Sequence, residues 1–199
     1  MSVDDRYFEQ LFQQSDDPWA FKLRWYERRK RALTLAALPR ERYVSVFEPG
    51  CANGELSADL ATRCDRLLVC DTNLSAVELA RQRLAAFNHV QVMHARLPQQ
   101  WPTARFDLIV FSELGYYLDE TDLNRWIDHA LASLTEDGQV LACHWRPAIE
   151  GCPLDAQKVH AILADRLDMT RLVSHHETDF LLEVWSRDGT SVAEKEKLR

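Results

Sequence analysis

Long apolar segments are absent from this sequence. No run approaches the ~20 consecutive apolar residues that a membrane-spanning helix needs, so we expect no membrane partner. The first ten residues, MSVDDRYFEQ, are acidic and polar and lack the apolar core of a signal peptide. From these absences we expect a cytoplasmic protein.

Cysteine patterns that bind metal or form a disulfide framework are also absent. The five cysteines are odd in number, and no two have the CxxC spacing. A structural zinc site is therefore not expected, and free thiols fit a reducing cytoplasm. We predict no metal site.

Excess positive charge is absent as well. The formal net charge is -7 at pH 7, which gives no electrostatic reason to bind a polyanion such as DNA. The basic cluster ERRKR at Glu27–Arg31 is typical of the solvated face of a helix. We expect no nucleic-acid partner and a small molecule as substrate, while no feature defines an oligomeric state.

The chain that remains has 199 residues, 46% hydrophobic and 28% charged, which fits one soluble domain with a sizeable core. Residues 1–40 predict a helical cap, with helices over Asp5–Gln14 and Asp17–Leu38, the second ended by Pro39. Four residues of the second helix would share one face at helical spacing: Trp19, Leu23, Tyr26 and Lys30.

Residues 41–199 alternate between strand and helix patterns and predict a core. The predicted strands are Val44–Glu48, Arg66–Asp71, Val90–His94, Phe106–Ser112, Gln139–Cys143, Arg171–Ser174 and Phe180–Ser186. The predicted helices are Gly54–Thr62, Leu74–Phe87, Asp122–Ser133 and Asp155–Leu167, and EDG predicts a turn before the fifth strand. The last two strands leave no room for a helix between them, so they predict an antiparallel hairpin at the sheet edge. This order predicts a doubly wound three-layer α/β domain.

The segment EPGCANG ends the first predicted strand, at the edge where doubly wound sheets bind ligands. Gly50 and Gly54 can adopt a positive φ and let the backbone approach a ligand, and the following helix N-terminus attracts an anionic group. Asp71 ends the second strand and could accept hydrogen bonds from both ribose hydroxyls of an adenosine. Nucleotide oxidoreductases and adenosylmethionine enzymes both use that arrangement.

Three features favour an adenosylmethionine enzyme. The loop is GxxxG rather than GxGxxG, with Glu48 directly before it. A chain of 199 residues scarcely supplies the second half that a dinucleotide enzyme usually needs, and the terminal hairpin is the third feature. In this order, EPGCANG, Asp71 and FDLIVFSELGYYL resemble motif I, the acidic second motif and motif IV of class I S-adenosylmethionine-dependent methyltransferases. With DPWAFKLRWYERRKRALTLAALP and HWRP added, the sequence is similar, from about Asp17 to Trp185, to the nodulation-factor N-methyltransferase family.

The resemblance implies a Rossmann-like methyltransferase sheet, S-adenosyl-L-methionine as the cofactor and the N-terminal helices as a lid. It implies that the methionine half of the cofactor contacts Glu48, Gly50, Cys51 and Asn53, with Asp71 on the ribose. Ala95, Arg96 and Leu97 would flank adenine, held by backbone and apolar contacts because HARLP has no acidic residue. Ser112 and Tyr26 complete the cofactor set. The lid candidates are Trp19, Trp25, Tyr26 and Arg31.

The acceptor is expected where the fourth and fifth strands end. Glu113 would hold an ammonium or a sugar hydroxyl, and Tyr116 and Tyr117 would enclose a cationic amine, although a tyrosine there could equally belong to the core. Gly115 would admit a bulky acceptor or form a turn. His144 is the candidate base, with a structural histidine as the alternative. Trp145 and Arg146 would form the pocket wall, where Arg146 could bind an anionic group.

The predicted activity is methyl transfer to a small or medium acceptor, with an amine nitrogen, as in an aminosugar, favoured. Orientation of two reactants can lower the activation barrier by roughly 7–11 kcal/mol, whereas a general base raises the rate by only ~10²–10⁴-fold. The residues that shape the pocket are therefore expected to matter more than a base. Three alternatives remain: an O-methyltransferase, a nucleotide-dependent oxidoreductase and a catalytically inactive adenosylmethionine-binding module.

Overall fold

A computed structural model, which describes residues 1–198, contains one seven-stranded sheet with the spatial order β3-β2-β1-β4-β5-β7-β6. Strands β1 to β5 are parallel, and β7 lies antiparallel between β5 and β6. The strands are β1 (Val46–Pro49), β2 (Leu67–Asp71), β3 (Val90–His94), β4 (Phe106–Ser112), β5 (Leu134–Trp145), β6 (Thr170–His176) and β7 (Phe180–Ser186). This confirms the doubly wound α/β sheet and its terminal antiparallel hairpin.

Helices cover both faces of the sheet. Within residues 1–198 they are α1 (Asp5–Gln14), α2 (Trp25–Ala37), α3 (Glu55–Ala61), α4 (Leu74–Leu84), α5 (Glu120–Ser133), α6 (Ala156–Arg166) and α7 (Val192–Lys195). Side-chain caps define several starts. Asp119 accepts a hydrogen bond from the Asp122 N–H, for example, so α5 begins two residues before its predicted start. With 14 residues, α5 is the longest of these helices, and none of them is long and apolar enough to cross a membrane.

Two apolar clusters, one on each face of the sheet, form the core. On one face, the fully buried Trp126 of α5 stacks on Phe111 of β4, with 3.9 Å between ring centroids. On the other face, Leu60 of α3 and Leu84 of α4 pack near Val69 of β2. Burying an aromatic or aliphatic side chain of this size contributes ~1.5–3 kcal/mol. The two clusters fix the strands whose carboxyl ends carry the site.

The second predicted helix was wrong in its first eight residues. Asp17 accepts hydrogen bonds from the N–H groups of Phe21 (2.8 Å) and Lys22 (3.0 Å), which stabilises a turn instead of a continuous helix. Ala20 there has a φ of 58°. Because α2 begins only at Trp25, Leu23 is exposed and does not share a helix face with Lys30.

The predicted EDG turn lies inside β5, which spans Leu134 to Trp145. The backbone folds back there, because a Cβ on Gly138 would lie 3.1 Å from Leu134 Cβ, whereas residues four apart in an extended strand are separated by ~13 Å. The register of β5 with β4 passes from the pair Phe106–Leu134 to the pair Leu108–Gln139. The Glu-Asp-Gly segment is therefore a turn that interrupts the pairing, and regular pairing with β4 begins at Gln139, the predicted start of the strand. The other predicted strands and helices occur with ends shifted by no more than about three residues.

Candidate active site

A cavity of about 580 Å³ lies between the carboxyl ends of the parallel strands and the N-terminal segment, a size typical of small-molecule sites. Several predicted site residues line it: Tyr26, Gly50, Asp71, Ala95, Arg96, Leu97, Glu113 and Tyr116. The predicted residues Glu48, Cys51, Asn53, Ser112 and His144 do not line its open part. The cavity therefore joins the end of β2, the loop after β1 and the loop after β4.

The loop after β1 has the strained backbone that its glycines predicted. Gly50 and Gly54 have φ of +71° and +80°, and Ala52 between them also has a positive φ of 47°. The N–H groups of Gly50 and Cys51 both donate to the carbonyl oxygen of Cys70, at 2.7 and 3.0 Å. A Cβ on Gly50 would approach Leu114 Cδ1 to 3.3 Å. Glycine therefore allows the loop after β1 to lie close to Leu114 at the cavity.

Asp71 fastens the same loop to the end of β2. Its Oδ2 accepts a hydrogen bond from the Ala52 N–H (3.0 Å), and its Oδ1 accepts one from the Asn73 N–H (2.9 Å). Burial raises the pKa of Asp71 above its ordinary value, against the effect of these backbone donors. Each carboxylate oxygen has a second lone pair, so Asp71 can still accept hydrogen bonds from two hydroxyl groups of a ligand.

Two buried acceptor atoms beside this loop have no hydrogen-bond donor within residues 1–198. They are Glu48 Oε2 and Asn53 Oδ1, on side chains that are 3% and 1% exposed. Burial raises the pKa of Glu48 to about 8, against the opposing effect of a hydrogen bond from the Ser57 side chain to the same carboxyl group. The Asn53 amide is oriented by Asp17 Oδ1, to which its Nδ2 donates at 2.9 Å. Because unpaired buried acceptors are costly, this pair fits a ligand group that donates N–H bonds, such as an ammonium.

The loop after β3 forms a third part of the cavity wall, as the resemblance implied for adenine. Ala95 is buried, and its N–H donates to the carbonyl oxygen of Asp71 at 3.0 Å. Arg96 forms an ion pair with Asp5 of α1, and its N–H donates to Gln100 Oε1 at 2.7 Å. The guanidinium is thereby directed toward the cap, and the cavity face beside Leu97 is mainly apolar.

Glu113 organises the opposite end of the cavity. It follows β4 with a φ of 54°. Its Oε2 accepts hydrogen bonds from Tyr116 Oη (2.5 Å) and the Trp145 N–H (3.0 Å), and its Oε1 lies 2.5 Å from Lys30 Nζ. The side chain is therefore held by two strand ends and by α2. Its positive φ is costly for a non-glycine residue and persists because these contacts hold the side chain.

Lys30 is a cavity residue whose role the sequence analysis missed. Its side chain is 7% exposed, and its ammonium lies 3.1 Å from Glu27 Oε2 as well as beside Glu113. It also lies 5.1 Å from the ring centroid of Tyr26. Burial alone would lower the pKa of Lys30, but the carboxylates of Glu113 and Glu27 raise it above its ordinary value. A lysine at helical spacing from Tyr26, on a face that also carries apolar side chains, was the available signal.

His144 does not occupy the position of a base that contacts the acceptor. Its side chain is fully buried and does not line the cavity. Nε2 accepts a hydrogen bond from the Gly115 N–H (3.0 Å), and Nδ1 lies 3.1 Å from His160 Nε2. Burial, with His160 and Lys30 nearby, moves the pKa of His144 well below its usual range. The structure thus contradicts the assignment of His144 as the base and supports the alternative, a structural histidine.

Several other expected contributors lie away from the cavity. Trp25 is 68% exposed. Arg31 donates to Phe21 O and Asp59 Oδ2, and Arg146 donates to carbonyl oxygens in the turn between β6 and β7. Gly115 offers no space for an acceptor, because a Cβ there would lie 2.5 Å from Val159 Cγ1. Of this group of expectations, Trp145 is the residue that does line the cavity.

An aromatic lid made by the N-terminal segment covers the cavity, and two of the four predicted lid residues, Trp19 and Tyr26, line it. Its lining side chains are Tyr7, Phe8, Phe12, Trp19 and Phe21. The ring of Phe8 packs edge-on against Tyr117, 4.9 Å between centroids, and the Val3 N–H donates to the Tyr117 carbonyl oxygen at 2.8 Å. The lid therefore rests on the loop after β4.

Comparison with known proteins identifies the family to which the sequence is similar. The family model for nodulation protein S (NodS) matches residues 6–174. The nodulation protein S of Bradyrhizobium diazoefficiens is 32% identical over 124 residues, which are 61% of this chain and 59% of that protein. This chain thus spans about three fifths of the length of that curated relative.

Two solved structures extend the comparison to nearly the whole fold. The N-methyltransferase NodS from Bradyrhizobium japonicum WM9, in complex with S-adenosyl-L-homocysteine, matches with a TM-score of 0.82 at 28% identity, over 92% of this chain and 98% of that one. A Pseudomonas syringae protein provisionally assigned as a methyltransferase is 71% identical, with a TM-score of 0.75, over 82% of this chain and 99% of that one. The fold of this chain is that of a class I methyltransferase.

Proposed function

The chain belongs to the nodulation protein S family, and we propose on that basis that it transfers a methyl group from S-adenosyl-L-methionine to an amine nitrogen of a small or medium acceptor. Residues 41–199 would supply the catalytic core and residues 1–40 its cap. The observation that carries the proposal is the group of acceptor oxygens around the loop after β1. Asp71 can accept from two hydroxyls, while Glu48 and Asn53 each keep a buried oxygen without a donor.

These groups fit the two ends of the cofactor. An ammonium group donates N–H bonds, and its positive charge would stabilise the ionised form of the buried Glu48. The amino-acid tail of the cofactor, which carries such a group, is therefore the natural occupant of this position. Asp71 would accept hydrogen bonds from the two ribose hydroxyls. The apolar surface beside Ala95 and Leu97 would accept the adenine ring. We assign Gly50, Cys51, Ser112 and Tyr26 to the surroundings of the methionine half and the methyl group, as the resemblance implies.

When bound, the cofactor supplies an electrophilic methyl group on a sulfonium sulfur. The chain has to hold the acceptor nitrogen on the axis of the S–CH3 bond and exclude water, and orientation of this kind contributes roughly 7–11 kcal/mol. Glu113, fixed by Tyr116, Trp145 and Lys30, would hold the acceptor beside that axis. The aromatic lid would exclude water.

An amine acceptor is favoured over a hydroxyl by the chemistry of the cavity wall. Among residues 1–198, no histidine lines the cavity, and Glu113 is already engaged by an ammonium. A neutral amine attacks with its own lone pair and needs no base at that moment, whereas an alcohol gains much from a base that removes its proton. Two carboxylates, Glu113 and Glu27, and the face of Tyr26 favour binding of an aminated acceptor. A protonated amine would have to release its proton to solvent before its lone pair attacks the methyl group.

Partner and location follow from charge and redox state as part of the same proposal. A net charge of -7 favours a small acceptor over a nucleic acid. The five cysteines are free thiols, which favours a reducing, cytoplasmic location.

Calorimetric titration tests the cofactor. S-adenosylhomocysteine should bind and NAD should not; tight binding of NAD with no response to S-adenosylhomocysteine would establish a nucleotide-dependent oxidoreductase instead. Transfer of a labelled methyl group to glucosamine, ethanolamine and their hydroxyl analogues then tests the acceptor. Label on hydroxyl analogues alone would indicate an O-methyltransferase, and a protein that binds the nucleoside but labels no acceptor would be an inactive binding module.

A further inference from the structure

A buried chain of hydrogen bonds begins at Glu183 on β7 and ends at Gly115, in the short turn after β4 and Glu113. Glu183 of β7 accepts a hydrogen bond on Oε2 from His160 Nδ1 (2.7 Å). His160 Nε2 lies 3.1 Å from His144 Nδ1, and His144 Nε2 accepts from the Gly115 N–H at 3.0 Å. The three side chains are at most 4% exposed. None of them lines the cavity.

The two ends of this chain define the tautomer of both imidazoles. A carboxylate has no proton to donate, so His160 carries its proton on Nδ1. The Gly115 N–H is a donor, so His144 Nε2 has to be the unprotonated nitrogen. The proton of His144 then lies on Nδ1 and donates to His160 Nε2. Every position is occupied once, and the carboxylate of Glu183 at one end and the Gly115 N–H at the other require the same direction along the chain of hydrogen bonds.

Glu183 is equipped to hold that direction. Its other oxygen, Oε1, accepts from Arg171 Nη1 (2.7 Å) and Ser174 Oγ (3.2 Å). Burial would raise the pKa of Glu183, but its contacts with His160, Arg171 and Ser174 outweigh burial and hold the pKa below its ordinary value. The carboxylate therefore remains an acceptor on both sides.

The far end of the chain controls the acceptor wall. Gly115 begins the short 3-10 turn Gly115–Tyr117, two residues after Glu113, and it fits so closely that an added Cβ would lie 2.8 Å from His144 Nε2. Glu113 and Tyr116 are hydrogen-bonded to each other across this turn at 2.5 Å. We propose that His144, with its tautomer set by Glu183 through His160, is a positioning residue that holds the Glu113–Tyr116 wall in its productive geometry. This inference rests on the proposed methyl transfer for its effect on turnover.

Glu183→Gln tests the direction of the chain with almost no change in shape. Arg171 and Ser174 draw the amide oxygen to their side, so the amide NH2 faces His160 Nδ1. Both imidazoles then have to carry their proton on Nε2, and His144 presents an N–H to the N–H of Gly115. Glu183→Gln/Arg171→Met releases the amide to rotate, so the original direction can return. Glu78→Gln, an exposed carboxylate on α4, is the matched control.

Three measurements are made on each variant: long-range ¹H–¹⁵N spectra of histidine-labelled protein, hydrogen exchange at the Gly115 amide, and turnover with affinity for S-adenosylhomocysteine. We expect Nδ1–H tautomers for His144 and His160 in the native protein and Nε2–H tautomers in Glu183→Gln. The same variant should exchange the Gly115 amide faster and lose about 10- to 100-fold in turnover, with nucleoside affinity unchanged. The double variant should recover most of each loss, and Glu78→Gln should match the native protein.

The tautomers observed in the native protein can overturn the inference without any variant. An Nε2–H tautomer of His144 there would overturn it, and so would a Glu183→Gln protein that reverses both tautomers and keeps full turnover. If the native protein methylates no amine, the proposed function fails by itself. The chain of hydrogen bonds is then still tested by the tautomers of His144 and His160 and by hydrogen exchange at the Gly115 amide.

Discussion

Lys30 Nζ and Glu113 Oε1 lie 2.5 Å apart, which joins the N-terminal cap to the loop after β4 by a buried ion pair. Glu27 lies on the other side of the same ammonium, at 3.1 Å, so one cation serves two carboxylates. This end of the cavity is therefore assembled only when α2 is docked. Under the proposed function, the cap would carry part of the acceptor site.

Lys30→Met is expected to destabilise the protein by about 3 kcal/mol, because it leaves two partly or fully buried carboxylates without their cation. Chemical denaturation measures the change in the free energy of unfolding. Lys30→Met/Glu113→Gln should recover part of the loss, since one of the stranded charges is then removed. Arg81→Met, which breaks the exposed pair with Glu78, is the control and should change stability by less than about 1 kcal/mol. Equal losses for the two single variants would contradict a special role for the buried pair.

Asp71→Ala is expected to weaken binding of S-adenosylhomocysteine. The substitution removes the acceptors for the ribose and also the two hydrogen bonds that fasten Ala52 and Asn73, and hydrogen bonds to a charged group contribute ~1.5–3 kcal/mol each. Calorimetry should show an affinity lower by at least tenfold. Asp71→Asn separates the two effects, because its amide oxygen can keep one of the backbone contacts. Native affinity in Asp71→Ala would exclude the ribose assignment.

Most of the fold followed from sequence because each β-α unit carries its own pattern. The apolar run Phe106–Ser112 predicted a buried central strand, and the short interval before Phe180 predicted the hairpin. The start of α2 did not follow, since Asp17 competes with the helix by capping a turn through its side chain. No periodicity reveals such local competition.

The site followed only in part, because a strand position does not tell whether a side chain faces the ligand. Asp71 ends β2 and Glu113 directly follows β4, and these parallel strands lie on either side of β1, so both residues could be placed at the cavity from the sequence. His144 is also at a strand end, yet it points into the core and contacts α6. The lysine that completes the acceptor wall comes from α2, whose docking on the sheet is a tertiary contact without a local sequence signal.

Gly115→Ala is expected to lower stability by ~1–3 kcal/mol through overpacking, because the new Cβ would lie 2.5 Å from Val159 Cγ1 and 2.9 Å from Phe111 Cε1. The displaced turn should also reduce turnover with an amine acceptor while nucleoside affinity stays within about twofold. Val159→Ala in the same chain should restore part of the stability. A Gly115→Ala protein with native turnover would show that the turn tolerates movement.

Tyr26→Phe separates a structural hydroxyl from one that serves a ligand. Tyr26 Oη is buried, lacks a hydrogen-bond partner within residues 1–198, and belongs to a residue that lines the cavity. Its removal should leave the free energy of unfolding unchanged or raise it slightly, by up to about 1 kcal/mol. Binding of the cofactor or the acceptor should weaken by roughly five- to tenfold if the hydroxyl contacts either of them. Calorimetry and acceptor KM distinguish the two ligands, and a loss of stability with unchanged binding would contradict the assignment.

Glu48 should make stability fall as the pH rises. The pKa of Glu48 is raised by burial from 4.5 to about 8 in the folded protein, so between those values the folded state holds a proton that the unfolded state has lost. The slope of the unfolding free energy with pH is then negative, at about 1.4 kcal/mol per pH unit at most. Below pH 4.5 this contribution is constant, and above pH 8 it is fully lost. Unfolding free energies measured by denaturation between pH 5 and 8 should therefore depend less on pH in Glu48→Gln. The control Glu136→Gln, at an exposed position, should keep the native slope. Saturating S-adenosylhomocysteine should flatten the native slope as well, because its ammonium stabilises the ionised carboxylate; a slope that the nucleoside leaves unchanged would remove Glu48 from the cofactor site.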